Sequence, residues 1–217
     1  MNVTLFADLT ILGIASYLVY LTLAGLSVFA LGTGIFKLLQ FSRAGLGGRE
    51  EAERILDAWL SGRVDDAIKR AGQRKLVLSR VLHAVFSGLQ ARPNDPSYAE
   101  ELSRQTVLIE LARLSERMRS LDMVVQAAPM LGLLGTVVGM IDAFSVLAVT
   151  EGTVDPSALA GGIYVALTTT AAGLSIALLA FFIATWLESR IDRERTVMEA
   201  LVSAAIHGRV GPSNLAA

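Results

Sequence analysis

The sequence predicts an all-α membrane protein with three transmembrane helices and long cytoplasmic helical extensions. Two runs free of charge, residues 9–36 and 156–187, extend over 28 and 32 positions, where about 20 apolar residues already span the hydrocarbon core. A third apolar run, residues 127–144, carries a regular stripe of Gly, Ala and Thr. Composition agrees: of 217 residues, 53% are hydrophobic and 18% charged, too apolar for an ordinary soluble domain. A net charge of −1 leaves no nucleic-acid footprint. The chain has no Cys, which excludes disulfides and thiolate metal sites. His83 and His207 have no ligand-like spacing, so no metal site is expected.

Residues 1–8 form a short N-terminal segment and residues 9–36 the first membrane helix, with Tyr17 and Tyr20 inside it and Lys37 marking its end. The run is too long for a cleaved signal peptide, and no Lys or Arg precedes it. Between Lys37 and Arg119 lie 15 of the 19 basic residues; the other four, Arg190, Arg193, Arg195 and Arg209, follow the last apolar run. Basic residues accumulate on the cytoplasmic side, so the loop 37–122 and the tail 188–217 are expected there and the N-terminus on the periplasmic side.

Within the loop, Gly45 to Gly48 break the chain. Short amphipathic helices are expected over 49–60, 64–71 and 76–89, the last with Val77, Val81, Val85 and Leu89 at four-residue spacing. Arg92-Pro-Asn-Asp-Pro96 is a turn. Ser97 and Glu100 have the form of a capping box, and Val107, Leu111, Leu114, Met118 and Leu121 continue with helical spacing into the apolar run. One helix from about Tyr98 to Val149, about 75 Å long, is therefore expected. Its membrane part is residues 123–149, bent at Pro129 near the cytoplasmic boundary. An external loop, 150–156, carries Glu151 and Asp155, and residues 157–187 form the third span, with Trp186 as an interfacial aromatic. The tail continues helically through Val197, Leu201 and Ala204 until Gly208 to Pro212 stop it. The cytoplasmic helices are expected to bundle around a vestibule.

Two spans carry the chemistry. In the second, Ala128, Gly132, Thr136, Gly139 and Ala143 fall at i+4 or i+3 steps on one face, opposite Leu133, Val137, Met140 and Phe144. In the third, Gly162, Ala166, Thr169 or Thr170, Gly173 and Ala177 repeat the design. Small faces let backbones approach, so Gly132, Gly135, Gly139, Gly162 and Gly173 are expected in helix packing. The hydroxyls then either line an ion path or serve packing alone. Asp142 is the one ionisable residue within the predicted core spans; it stands either at an outer ion entrance or at the external headgroup level.

The motifs Ala128-Pro-Met-Leu-Gly-Leu-Leu-Gly-Thr-Val-Val-Gly-Met-Ile-Asp-Ala-Phe144 and Ala166-Leu-Thr-Thr-Thr-Ala-Ala-Gly-Leu174 resemble those of the MotA/TolQ/ExbB proton-channel family, most closely its ExbB and TolQ members. The resemblance covers nearly the whole chain in order and topology. It implies a homopentamer in a bacterial inner membrane, its second and third helices lining a pore that holds single-span partners resembling ExbD or TolR. A carboxylate on those partners would carry H+, or Na+, and the motion would drive a TonB-like arm for outer-membrane transport, or a TolA-like one for envelope integrity. Thr136 and Thr170 match the family's pore threonines, with Thr169 a neighbour. Val165 departs, since many relatives have Glu there; ion identity is therefore open. A non-conducting scaffold is the reading that Val165 favours. Neither an organic cofactor nor an enzyme activity is implied, and no nucleophile–base pair or glycine-rich phosphate loop is present.

Overall fold

The computed structural model describes residues 2–44, 48–73, 76–149 and 156–209, and among these the chain is helical with no strand. Seven helices follow in order: α1 (Asn2–Ala44), α2 (Arg49–Leu60), α3 (Val64–Gln73), α4 (Val77–Ala91), α5 (Pro96–Ser115), α6 (Met118–Val149) and α7 (Pro156–His207). Among the described residues, three helices are long and apolar enough to cross a membrane. The external loop expected at 150–156 lies outside the described residues except for Pro156, which opens α7 at a position where its missing N–H costs nothing.

The chain divides into two compact units. The first contains residues 1–35 and 117–185. Its interior is made of small or slender side chains: Val19, Leu23 and Ala30 of α1, Leu121, Val124 and Ala128 of α6, and Ala166, Ala177, Ala180 and Ala184 of α7 are all buried. Large side chains face outward instead, including Leu21, Val28, Met130, Leu133, Leu178 and Phe182. This inversion of the soluble pattern suits helices surrounded by lipid, where association relies on close van der Waals contact. α6 runs through Pro129 without a break.

The second unit contains residues 36–116 and 186–217. Here the pattern is that of a soluble bundle. α4 buries Val77, Leu78, Val81, Leu82, Val85 and Phe86, against Ala52, Ile55 and Leu56 of α2. Trp59 stacks on Phe86 with ring centroids 4.2 Å apart, and its Nε1 donates to the Ala205 carbonyl in the last turn of α7. Gly88 lets α4 approach α5, since a Cβ there would stand 2.7 Å from the Ala99 Cα. Glu110 is buried and accepts two hydrogen bonds from Arg80, at 2.9 and 2.6 Å, and one from Arg113 at 3.2 Å. Those bonds satisfy a carboxylate that burial would otherwise penalise.

Two local expectations are corrected. The 98–149 helix is two helices: Glu116 leaves helical geometry with ψ 135° and Arg117 adopts φ 65°, a left-handed conformation that costs a non-glycine residue about 1 kcal/mol. The capping box at Ser97 does not form, because the helix starts earlier, at Pro96, with Asp95 at the N-cap and no side-chain cap bond. Proline's fixed φ suits the first helical position and draws the start there. Beyond these, Lys37 stands at the start of the second unit and is wholly buried there. Its Nζ donates to the Leu114 carbonyl at 2.8 Å and to Gln40 Oε1 at 3.0 Å.

Candidate ion site at the contact of two membrane helices

α6 and α7 cross antiparallel along a ladder of small residues. Added Cβ atoms at Gly132, Gly135 and Gly139 would lie 3.1 Å from Thr170 Cα, 2.6 Å from Thr169 Oγ1 and 3.0 Å from Ala166 Cβ. From the other side, Cβ atoms at Gly162 and Gly173 would meet Ala143 Cβ at 2.5 Å and Gly132 Cα at 3.0 Å. Gly135, Gly162 and Gly173 therefore have no room for a Cβ against the Thr169 side chain, Ala143 Cβ and the Ala128 carbonyl, and Gly132 and Gly139 sit at tight contacts.

The contact stripe on α6 is Ala128, Gly132, Gly135, Gly139 and Ala143. This corrects the expected stripe, in which Thr136 stood where Gly135 stands. One residue on a helix is 100°, enough to turn Thr136 away from α7. Thr136 is half-buried beside an apolar trough of about 640 Å³, lined also by Val137, Met140, Ile141, Phe144 and Ser145.

The three consecutive threonines of α7 divide their work. Thr169 is 3% exposed, and its hydroxyl donates to the Ala166 carbonyl at 2.6 Å, with Gly132 O at 3.2 Å. Thr170 is half-buried and donates to the same Gly132 carbonyl at 3.0 Å. Thr168 faces α1, donating to the Val165 carbonyl at 2.7 Å, a group that also accepts from Tyr20 Oη at 3.2 Å. Sequence reasoning missed the pair Tyr20 and Thr168, although a Tyr at the middle of a span is a signal that a polar partner exists. Thr136 donates within its own turn, to Leu133 O at 2.6 Å. The hydroxyls of Thr136 and Thr170 thus belong to different contacts, and no bond joins them.

Val165 is exposed. Asp142 is half-buried, and its backbone carbonyl accepts from Ser145 Oγ at 2.8 Å. Of the α7 threonines beside Gly132, Thr170 is the one that combines its hydroxyl with partial exposure. Each of these hydroxyls spends its single proton on a backbone carbonyl, so what remains toward the surroundings is lone pairs.

Long apolar helices closed on small residues, with hydroxyls held at mid-span, define a helical membrane protein with polar groups inside its apolar zone. The profile of the MotA/TolQ/ExbB proton channel family matches residues 63–200, and the chain belongs to that family. It is 31% identical over 136 residues to an ExbB homolog of biopolymer transport from Methanothermobacter thermautotrophicus, covering 63% of this chain and 47% of that protein. It is 29% identical over 176 residues to the biopolymer transport protein exbB1 of Vibrio cholerae, covering 81% and 76%. With an ExbB-like biopolymer transport protein of Synechocystis it shares 31% identity over 160 residues, covering 73% and 62%. The chain spans about half the length of the first of these relatives. Among family members it is most like ExbB.

Proposed function

We propose that this chain is the channel subunit of an ion-driven inner-membrane motor of the ExbB type. Five copies surround a pore lined by α6 and α7, and single-span partners of the ExbD or TolR kind insert a carboxyl-bearing helix in it. The ion is H+, with Na+ as the alternative. The motion is delivered to a TonB-like arm for outer-membrane transport, or to a TolA-like arm for envelope integrity. The excess of Lys and Arg between Lys37 and Arg119 and after Leu187 supports a periplasmic N-terminus. Family membership supports the class of function.

One observation carries the mechanism: the Thr170 hydroxyl gives its proton to Gly132 O, and the Thr136 hydroxyl gives its own to Leu133 O. Both oxygens then act toward an occupant as acceptors. They fit a carboxyl group that still holds its proton, or a Na+ ion, and they have no hydrogen to offer a bare carboxylate. An ionised acid at this depth would lose its hydration without replacement, which is costly. Protonation from the outer side therefore admits the partner's carboxyl to the hydroxyl collar. Loss of the proton expels it toward the inner side, and the alternation moves one component against the other. Thr169, buried in the helix contact, holds the backbone geometry while Thr170 meets the occupant.

Ion uptake by liposomes containing the chain and its single-span partner tests this reading. Flux that disappears when the partner's intramembrane Asp is changed to Leu, with the complex intact, is the expected result. A non-conducting scaffold is the second reading, favoured by Val165, which presents an apolar side chain at 46% exposure. Assembly without flux under any applied voltage would establish the scaffold.

A further inference from the structure

The junction of α5 and α6 has two ways of satisfying the same carbonyls. In an uninterrupted helix the Arg113 and Leu114 carbonyls accept the N–H groups of the residues four positions on, Arg117 and Met118. Here the Leu114 carbonyl accepts the Lys37 ammonium at 2.8 Å, and the Arg113 carbonyl accepts Gln40 Nε2 at 3.1 Å. Both donors come from the last two turns of α1, three residues apart and so on one face. A cation at a helix C-terminus is also favoured by the partial negative charge of the unpaired carbonyls. Gln40 Oε1 in turn accepts from Lys37, which locks the two side chains together.

The apolar pattern at the junction is compatible with continuation. Val107, Leu111, Leu114, Met118 and Leu121 keep a strict four-three spacing across the break, and all but the half-buried Leu111 are buried. No proline or glycine lies between Pro96 and Pro129 to enforce a stop. The break instead places Arg117, a residue with a Cβ, at φ 65°. Sequence preference thus points to one helix, and the observed conformation is held by groups from another part of the chain.

We propose that the α5–α6 junction is a two-state element, broken when Lys37 and Gln40 cap α5 and continuous when they withdraw. The continuous state exchanges two side-chain bonds for two backbone bonds and releases the left-handed residue. The movement of α1 by less than one helical turn, about 5 Å, is enough to take both donors out of reach.

Hydrogen exchange on the full chain in nanodiscs tests the proposal, read on peptides covering 117–121. The double variant Lys37→Met with Gln40→Leu is expected to slow exchange at the junction by tenfold or more while α5 keeps its protection. Unchanged or faster junction exchange with α5 still protected would overturn it. Arg117→Gly gives an independent reading by its sign. Glycine is at ease at positive φ and unfavourable inside a helix, so the thermal midpoint of Arg117→Gly is expected to exceed that of Arg117→Ala, which loses the same side chain. A midpoint below that of Arg117→Ala would mean that the junction is ordinarily continuous, and would overturn the proposal even if the double variant failed to fold.

Discussion

A Cβ at Gly135 would lie 2.6 Å from Thr169 Oγ1 and 2.7 Å from its Cβ, far inside van der Waals contact. Gly135→Ala is therefore expected to push α6 from α7 and to destabilise the unit by about 1–3 kcal/mol, the usual cost of overpacking. Gly25→Ala and Gly32→Ala, where an added Cβ meets nothing within 4 Å, are the controls. They should leave the thermal midpoint in detergent unchanged or slightly raised, because alanine gains about 0.5–1 kcal/mol in a helix interior. If Gly135→Ala behaves like its controls, the close contact is not maintained in the protein. Glycine spacing on α7 was legible in the sequence, since Gly162, Ala166, Gly173 and Ala177 share one stripe whether Thr169 or Thr170 completes it. On α6, Gly132, Gly135, Thr136 and Gly139 offer two overlapping stripes. Periodicity alone does not choose between a Gly and a Thr one position apart; the choice depends on which side α7 approaches.

At the scale of elements, composition and period were enough to place α1 to α4 and α7, and to cover α5 and α6 as one helix, because uncharged runs and four-three spacing are properties of the chain itself. α2 follows the expected bounds, ending at Ser61 with Gly62 at φ 78°. What the chain does not announce is an interruption imposed from elsewhere. The carbonyls before the stop at Glu116 are met by Lys37 and Gln40, more than 70 positions away, and Lys37 itself reads as an ordinary interfacial lysine until its partner is seen. The second unit rests on local packing of a different kind. Phe86 is fully buried and stacked on Trp59, which anchors the end of α7 through Ala205. Phe86→Ala is expected to destabilise this unit by about 3–5 kcal/mol and to free the end of α7 to exchange its amides. Denaturant unfolding followed by Trp59 fluorescence, with Trp186 replaced by Phe, measures it; a loss below about 1 kcal/mol would contradict the packing described.

For the whole molecule, the distribution of Lys and Arg makes a prediction that the folded chain does not by itself express. With 15 of 19 basic residues between Lys37 and Arg119, the N-terminus and the C-terminal tail are expected on opposite sides of the membrane. The chain lacks cysteine, so single thiols at Leu5→Cys and Ser213→Cys report topology without background. A membrane-impermeant maleimide added outside should modify the first in intact spheroplasts and the second only after permeabilisation. Equal labelling of both before permeabilisation would contradict the orientation. The proposed partner helix, number of copies and arm belong to this scale too, and they rest on family membership, because contacts between molecules are encoded in faces that look like lipid-facing ones.

The account turns on whether the Thr170 hydroxyl meets the ion carrier as a hydrogen-bond acceptor. The direct measurement is voltage-driven proton and sodium uptake by liposomes containing the assembled complex, comparing wild type with Thr170→Ser and Thr170→Val. Serine keeps the acceptor oxygen and should keep the flux. Valine has nearly the same shape without it, and loss of one acceptor, about 1.4 kcal/mol or more, should lower uptake at least about tenfold with the complex still intact. Wild-type flux through Thr170→Val would contradict the account and leave the α6–α7 threonines as packing residues.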